Sequence, residues 1–196
     1  MTPPVQRVCV YCASSRSADP RFAMAAGDLG RLLATRRVTI VYGGGAVGSM
    51  GALADGALGE GGHVVGVLPN FMHEIEWGHP RLSELRLVAD MHERKRTMLH
   101  GVDAAVALPG GCGTLEELLE VITWKRLGLF HKPIVLVNTL GYYDGLIGVL
   151  NRAVDDRFMN PEHRAMWTIV DTADQVLNAI QTAPKWDESA RAFAVP

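Results

Sequence analysis

The amino-acid sequence lacks an excess of positive charge. Its 196 residues include 19 Lys and Arg against 21 Asp and Glu, which gives a formal charge of −2 at pH 7. A surface that binds nucleic acid needs clustered basic residues, so this balance argues against a nucleic-acid partner. The chain also lacks a run of roughly 20 apolar residues, the length of a membrane-spanning helix. Its first residues, MTPPVQRVCVYC, lack the basic start and long apolar core of a secretory signal. We therefore expect a cytoplasmic protein without a membrane partner.

Cysteine is scarce, with three residues in the chain. Cys9 and Cys12 form a C-x-x-C pattern, but they flank strand-like residues and have no second ligand pair. Two small, partly buried side chains are therefore favoured over a metal or redox role. We expect neither a metal ion nor a cofactor.

Apolar residues are plentiful. The chain is 48% hydrophobic and 20% charged, which argues against disorder. Its length is typical of one domain with a substantial core. We expect a single domain over residues 1–196, with 183–196 as a loosely held tail.

Short apolar segments alternate with amphipathic ones along the chain. Strands are predicted at Arg7–Tyr11, Val38–Tyr42, His63–Leu68, Leu85–Val88, Ala104–Leu108, Lys132–Val137 and Thr168–Val170. Helices are predicted at Pro20–Thr35, Ala52–Leu58, Met91–His100, Thr114–Trp124, Tyr143–Asp156 and Ala173–Gln181. This alternation favours an α/β fold in which helices cover both faces of a parallel sheet.

Three loops follow predicted strands, at Ala13–Ser15, Gly43–Gly51 and Pro109–Thr114. Ligands of parallel α/β sheets bind at the carboxyl ends of the strands, so these loops are expected to face one crevice. The loop at Gly43–Gly51 is not a Walker loop, because no Gly-Lys-Ser/Thr follows it. An NAD site would place an acid at the end of the next strand, which ends instead in Leu68 and Pro69. A glycine turn needed only for packing remains the alternative for this loop.

The stretch from Ala104 to Trp124 reads AAVALPGGCGTLEELLEVITW. A strand, a glycine turn and a helix in this order form an anion cradle, because the helix start offers unpaired N–H groups and partial positive charge. Leu115, Leu118, Leu119 and Ile122 are expected on one side of the helix. The carboxylates of Glu116, Glu117 and Glu120 exceed what a phosphate site needs. Thr114-x-x-Glu117 also matches a capping box, which is the structural alternative for those two residues.

Cations precede this stretch in the segment MHERKR, which begins at Met91. Helical spacing places Met91, Arg94, Lys95 and Met98 on one face. Such a face suits a pocket that is apolar toward a base and positive toward a phosphate. A charged surface with the methionines in the core is the alternative.

A phosphate cradle, a carboxylate and an arginine in one crevice suggest cleavage of an N-glycosidic bond. The transition state carries positive charge on the ribose, which a carboxylate stabilises while water attacks the anomeric carbon. Arg94 is a poor proton donor because the pKa of arginine lies above about 12. It would act through electrostatics and hydrogen bonds.

Three segments resemble the LOG family of cytokinin riboside 5′-monophosphate phosphoribohydrolases, long labelled lysine decarboxylases. They are PGGCGTLEE at Pro109–Glu117, ERK at Glu93–Lys95 and GGGAVGSMG at Gly43–Gly51. The similarity runs from about Val8 to Ile180. It implies a Rossmann-like fold, a homodimer or higher assembly, and no pyridoxal phosphate. It also implies hydrolysis of a nucleoside monophosphate such as AMP or isopentenyladenosine monophosphate to free base and ribose 5-phosphate.

The resemblance also assigns roles to individual positions. Arg94 and Glu117 match the two catalytic residues. The implied substrate-binding positions are Ser14, Gly44, Gly45, Glu74, Met91, Lys95, Gly110, Gly111, Gly113, Thr114, Glu116 and Thr123. Ser49 and Cys112 depart from the common pattern without removing a chemical group. The irregular segment Asn70–Arg86 is expected to form the pocket wall that selects the base.

Two other functions remain open. A non-catalytic nucleotide or molybdenum-cofactor carrier would share the scaffold, although the presence of Arg94 and Glu117 argues against it. A true lysine decarboxylase is disfavoured, because no lysine lies in a sequence setting suited to a Schiff base with its cofactor.

Overall fold

The structure is a computed structural model that describes residues 4–74, 78–187, 189 and 192. Of the segments discussed above, residues 75–77 of the predicted pocket wall lie outside the described residues. The same holds for residues 188, 190, 191 and 193–196 of the predicted tail. No helix in the described part of the chain is long and apolar enough to cross a membrane.

One sheet of seven parallel strands organises the described residues. The strands are β1 Arg7–Tyr11, β2 Thr39–Tyr42, β3 Val64–Pro69, β4 Glu84–Val88, β5 Ala104–Ala107, β6 Ile134–Val137 and β7 Thr168–Val170. Their order is β4-β3-β2-β1-β5-β6-β7. Val8 of β1 pairs with Ile40 on one side and with Ala104 on the other. The order therefore reverses at β1, and the prediction of a parallel Rossmann-like sheet is confirmed.

Helices cover both faces of the sheet. They are α1 Pro20–Thr35, α2 Gly48–Gly59, α3 Asn70–Glu74, α4 Met91–Leu99, α5 Cys112–Arg126, α6 Asp144–Asp155 and α7 Val176–Thr182. Buried side chains of α1, α2 and α7 form one core with the sheet, and those of α4, α5 and α6 form a second core on the other face. This two-layer burial matches the apolar character of the central strands.

Two helix starts follow from local sequence. The Asp19 carboxylate accepts a hydrogen bond from the Arg21 amide at 2.9 Å, and Pro20 occupies the first helical position. The Asp90 carboxylate accepts one from the Glu93 amide at 2.8 Å. Because α4 begins directly after Asp90, this cap sets the position of Arg94 within the helix.

Two other helices begin earlier than predicted. The helix expected from Ala52 begins at Gly48, and the helix expected from Thr114 begins at Cys112. In both cases part of the glycine loop forms the first helical turn. These loops are therefore shorter, and the helix N-termini lie closer to the ends of the strands.

Trp186, within the predicted tail, packs against the C-terminal part of α5. Its indole donates a hydrogen bond to the Lys125 carbonyl at 2.8 Å, and its ring lies 5.6 Å from the Lys125 ammonium. Lys125 is only 1% exposed, and its ammonium donates a hydrogen bond to the Lys132 carbonyl at 3.0 Å. The beginning of the tail is thus tied to the edge of the sheet where β6 starts.

Candidate active site

The three predicted loops meet at the carboxyl ends of β2, β1 and β5, which are neighbours in the sheet. The Met50 amide donates to the Ala13 carbonyl at 2.9 Å, which joins the loops after β1 and β2. Gly48 has φ of 61°, and an added Cβ there would overlap the Ser15 carbonyl oxygen. A left-handed conformation and this close approach both require glycine. The prediction that the three loops lie at one edge of the sheet is confirmed, and the crevice is the space between them.

Arg94 and Glu117 form an ion pair at the base of this crevice. The Arg94 Nη1 atom donates to Glu117 Oε1 at 2.8 Å, and the two residues are only 6% and 5% exposed. Arg94 comes from α4 and Glu117 from the second turn of α5. A buried charge needs a partner of opposite sign, and each residue supplies it to the other.

Arg94 also donates to two backbone carbonyls. Its Nε atom lies 3.1 Å from the Val67 oxygen in β3, and its Nη2 atom lies 3.3 Å from the Gly43 oxygen at the end of β2. A Cβ added at Gly43 would overlap Nη2, so the guanidinium occupies space that glycine leaves open. The guanidinium is therefore fixed in orientation by three elements of the fold.

Burial raises the pKa of Glu117, and the cation of Arg94 offsets part of that rise. Glu117 Oε2 accepts no hydrogen bond from the described part of the chain. That oxygen is available to a water molecule or a ribose hydroxyl. The carboxylate therefore combines a fixed position with a raised affinity for protons.

Burial likewise raises the pKa of the thiols of Cys9 and Cys12. The negative charge of Glu117 adds to the rise in both thiols. Both cysteines are buried, as the sequence predicts, and their thiols are free. A thiol with a raised pKa is a weak nucleophile and a weak metal ligand at neutral pH.

Lys95 forms a second bridge between the same two helices. Its ammonium donates to Glu116 Oε1 at 2.5 Å and to Glu120 Oε1 at 3.1 Å. Burial lowers the pKa of Lys95, but the hydrogen bonds and negative charges of Glu116 and Glu120 together outweigh burial, and the net effect is a raised pKa. Two of the surplus carboxylates of α5 therefore neutralise this cation. In this structure Lys95 and Arg94 each face carboxylates, and Met98 is a core residue.

The glycine loop at Gly110–Gly113 offers free backbone amides. Helix α5 is capped by Gly111, whose carbonyl accepts from the Leu115 amide at 3.0 Å. The amides that precede Leu115 have no intrahelical acceptor, as in any helix start. A Cβ added at Gly111 or Gly113 would meet open space. The arrangement suits a phosphate group held by N–H donors and the helix dipole.

The capping-box alternative for Thr114 and Glu117 is wrong. Thr114 is the third residue of α5 rather than its cap, and its side chain packs against Gly110, where a Cβ would overlap Oγ1. Glu117 bonds Arg94 rather than a backbone amide. Its position is set by a long-range ion pair and not by the start of its own helix.

Other predicted substrate-binding positions form no hydrogen bond with the ion pair in the described part of the chain. Gly44, with φ of 79°, and Gly45 are buried in the second loop, and Ser14 is exposed in the first. Met91 is half-buried at the first position of α4. Glu74 is exposed at the end of α3, and no contact in the described residues joins it to Arg94 or Glu117.

The segment after α3 closes onto the second glycine loop. The His79 amide donates to the Gly44 carbonyl at 2.8 Å, and Gly78 forms an antiparallel bridge with Gly45. The His79 ring contacts Asp55 of α2 at 3.3 Å. Part of the segment that looks irregular in sequence is therefore an ordered wall of the crevice.

Thr123 faces outward on α5, where its hydroxyl donates to the Leu119 carbonyl at 2.8 Å. The expectation that Leu119 faces inward is wrong, since this residue is 40% exposed. The buried side of α5 also carries Glu117 and Lys125. The outward side borders an open groove of about 690 Å³. The groove is lined by Cys112, Leu115, Glu116, Leu119, Glu120, Thr123 and Trp124.

Three tyrosines that bond the loops were missed by the sequence reasoning. The Tyr143 hydroxyl donates to the Leu108 carbonyl at 2.7 Å, and the Tyr142 hydroxyl donates to the Gly110 carbonyl. The Tyr42 hydroxyl donates to the Gly45 carbonyl at 3.0 Å. The available signal was the position of Tyr142 and Tyr143, which follow a glycine after β6, a neighbour of β5.

Lys125 is a buried lysine whose pKa is lowered, by burial, to about 8. Such a lysine is the kind that forms Schiff bases. It lies near the C-terminal end of α5 and bonds Lys132, which precedes β6, so it is at the edge of the sheet opposite the crevice. Lys125 therefore takes no part in the site described above.

Comparisons with known proteins identify the family of this chain. A family model described as possible lysine decarboxylase matches residues 50–180. A probable cytokinin riboside 5′-monophosphate phosphoribohydrolase of Oryza sativa subsp. japonica is 46% identical over 172 residues, covering 88% of this chain and 70% of the relative. A cytokinin riboside 5′-monophosphate phosphoribohydrolase of Arabidopsis thaliana is 42% identical over 184 residues, covering 93% of this chain and 85% of the relative.

Solved structures share the architecture. An X-ray structure of a structural genomics target superposes with a TM-score of 0.70 at 25% identity, covering 90% of this chain and 98% of the target. The molybdenum cofactor carrier protein of Chlamydomonas reinhardtii superposes with a TM-score of 0.69 at 18% identity, covering 91% and 98%. At that identity the carrier shows a common fold alone. From the family model and the curated relatives, the chain belongs to the LOG family of cytokinin riboside 5′-monophosphate phosphoribohydrolases.

Proposed function

We propose that this chain hydrolyses the N-glycosidic bond of AMP or an N6-modified AMP such as isopentenyladenosine monophosphate, releasing the free base and ribose 5-phosphate. The observation that carries the proposal is the buried pair of Arg94 and Glu117 beside the free amides of Gly111–Gly113. A phosphate held at those amides brings the ribose toward the carboxylate. The names of the relatives support the same substrate class.

The proposed chemistry uses no metal ion and no cofactor. The bond between C1′ and the base nitrogen breaks with both electrons passing to the base, and positive charge develops on the ribose. The Glu117 carboxylate stabilises that charge, or positions the water that adds to C1′. The proton released by the water ends on the departing base. Arg94 holds Glu117 in place and contributes its fixed charge near the ribose phosphate.

The remaining substrate contacts are proposed from the resemblance. The backbone of Gly110, Gly111 and Gly113 binds the phosphate, and Lys95 and Glu116 contact the nucleotide when their ion pair opens. The other proposed pocket positions are Ser14, Gly44, Gly45, Glu74, Met91, Thr114 and Thr123. We also propose a homodimer, in which the exposed Leu119 and the half-buried Leu115 of the outer α5 groove provide apolar surface for a second copy.

The test is incubation of the protein with AMP and, separately, with isopentenyladenosine monophosphate, followed by chromatography for free base. We expect base and ribose 5-phosphate in equal amounts from the wild type, and a loss of at least about 100-fold for Glu117→Gln. Glu162→Gln, which changes an exposed glutamate far from the crevice, serves as the matched control and keeps full activity. Nucleotide binding without base release would overturn the proposal in favour of a carrier.

Light scattering tests the proposed homodimer. A monomer at every protein concentration would overturn that part of the proposal.

A further inference from the structure

Two adjacent tyrosines bond the carbonyls of the loop that follows β5. Tyr142 and Tyr143 lie in the connection between β6 and α6. The Tyr142 hydroxyl donates to the Gly110 carbonyl, and the Tyr143 hydroxyl donates to the Leu108 carbonyl at 2.7 Å. Because β5 and β6 are neighbours in the sheet, their carboxyl-end loops are close enough for these bonds. The tyrosines therefore act on the glycine loop from outside it.

The connection that carries Tyr142 is well braced. The Asn138 side chain accepts from the Tyr143 amide and donates to the Asp144 carboxylate, each at 2.7 Å. The Tyr142 ring packs edge-on against Tyr143 at 5.1 Å and against Phe22 of α1 at 5.9 Å. These ring contacts restrict the orientation of the side chain, so the hydroxyl is a fixed donor.

The bond to Gly110 determines where the next amide points. The peptide that joins Gly110 and Gly111 is trans, so its carbonyl and its N–H point in opposite directions. Because the carbonyl points to Tyr142, the Gly111 N–H points away from the β6–α6 connection. A Cβ added at Gly111 would meet nothing within 4 Å, so the space around this residue is open to a ligand. Glycine on both sides of a peptide makes its rotation easy. A single external bond can therefore decide which group faces the crevice.

We propose that Tyr142 is a positioning residue for the phosphate of the substrate. Its hydroxyl holds the Gly110 carbonyl out of the crevice and keeps the Gly111 N–H directed into it, where a phosphate monoester accepts the hydrogen bond. Without the hydroxyl, rotation of this peptide presents a carbonyl oxygen to the phosphate, which repels it. The inference rests on the proposed function for the identity of the ligand, a ribose 5-phosphate group.

Tyr143 provides a matched control. Its hydroxyl makes the same kind of bond, but the Leu108 carbonyl belongs to a peptide whose nitrogen is that of Pro109, which has no N–H. Loss of this bond cannot redirect an amide toward the crevice. Tyr143 is fully buried, whereas Tyr142 is 40% exposed, so Tyr143→Phe is expected to lower the melting temperature more than Tyr142→Phe.

The experiment measures binding of the two proposed products separately, by titration calorimetry, for the wild type, Tyr142→Phe and Tyr143→Phe. We expect Tyr142→Phe to raise the dissociation constant of ribose 5-phosphate about tenfold and to leave that of adenine unchanged. Tyr143→Phe is expected to change both constants by the same small factor. Equal weakening of both ligands by Tyr142→Phe, or no weakening, overturns the inference.

Binding is measured without turnover, so the two proposals fail separately. A selective loss of ribose 5-phosphate binding in Tyr142→Phe, with no base release by the wild type, supports the positioning role and overturns the proposed hydrolysis. Base release by the wild type, with unchanged ribose 5-phosphate binding in Tyr142→Phe, supports the proposed hydrolysis and overturns the positioning role. A wild type that does not bind ribose 5-phosphate overturns the positioning role, whether or not it releases base.

Discussion

Glu117 accepts a hydrogen bond at 2.8 Å from Arg94, which lies 23 residues earlier in the chain and on a different helix. Both side chains are almost completely buried. Such a pair roughly balances the cost of removing two charges from water against their attraction. Replacing one residue of the pair is therefore expected to destabilise the protein more than replacing both residues.

Replacing Arg94 with leucine is expected to lower the free energy of unfolding by about 3–5 kcal/mol, because Glu117 remains buried without its cation. The double variant Arg94→Leu/Glu117→Leu is expected to be more stable than Arg94→Leu alone. Urea unfolding of both, together with Glu117→Leu, measures the coupling between the two positions. A double variant whose loss equals the sum of the two single losses would show that the pair contributes no interaction energy.

The acidic limb of the pH–rate profile is expected to lie above the value of an ordinary glutamate. Burial raises the pKa of Glu117 above 4.5, and the proposed mechanism requires the ionised carboxylate. The active fraction therefore falls as the pH falls through this raised pKa. Arg94→Gln removes the cation that offsets the rise, so its limb moves to still higher pH. Profiles of base release for the two proteins provide the measurement, and a wild-type limb at or below 4.5 would contradict it.

Gly43→Ala is expected to abolish most of the activity, because the added methyl group overlaps the Arg94 guanidinium. Gly148→Ala is the matched change. Gly148 is exposed within α6, and a Cβ there meets nothing within 4 Å. Alanine favours the helix, so this variant gains about 0.5–1 kcal/mol and keeps its activity. Base-release assays and thermal unfolding of the two variants distinguish a steric effect at the site from a general effect of replacing glycine. Similar activities would contradict the packing described for Arg94.

Lys125 is expected to make stability depend on pH in the alkaline range. Burial lowers its pKa from 10.5 to about 8, so the unfolded chain binds the proton more tightly than the folded protein. The resulting penalty, about 3 kcal/mol, is present at neutral pH and is relieved as the pH rises from about 8 toward 10.5. The free energy of unfolding of the wild type should therefore rise relative to that of Lys125→Met over this interval. Chemical unfolding at several pH values measures the difference, and a constant difference would exclude the lowered pKa.

The sequence predicted features that depend on neighbours in the chain. The helix starts at Pro20 and Met91 match the prediction, because each is fixed by a local hydrogen bond to the preceding aspartate, Asp19 or Asp90. The alternation of strands and helices also predicted the parallel sheet and the meeting of three loops. Here the physical cause lies within a few residues or in the general rules of parallel sheets.

The features that the sequence did not predict depend on distant contacts. Thr114 and Glu117 have the spacing of a capping box, but the attraction of Arg94 and the start of α5 at Cys112 prevent it. Leu119 fits an apolar stripe, yet it is exposed because buried charges share the inner side of α5. The bonds from Tyr142 and Tyr143 to the loop after β5 also cross between strands, so they follow from the order of the strands and not from a local pattern.

The partners of Arg94 lie far apart along the chain, at Gly43, Val67 and Glu117, separated from it by 51, 27 and 23 residues. Contacts between such distant positions require loop closure and are slow to form. A nascent chain that extends only through β5 contains Arg94 but not its carboxylate. The proposed hydrolysis therefore begins only after α5 has docked, because the pair that it requires is incomplete before then.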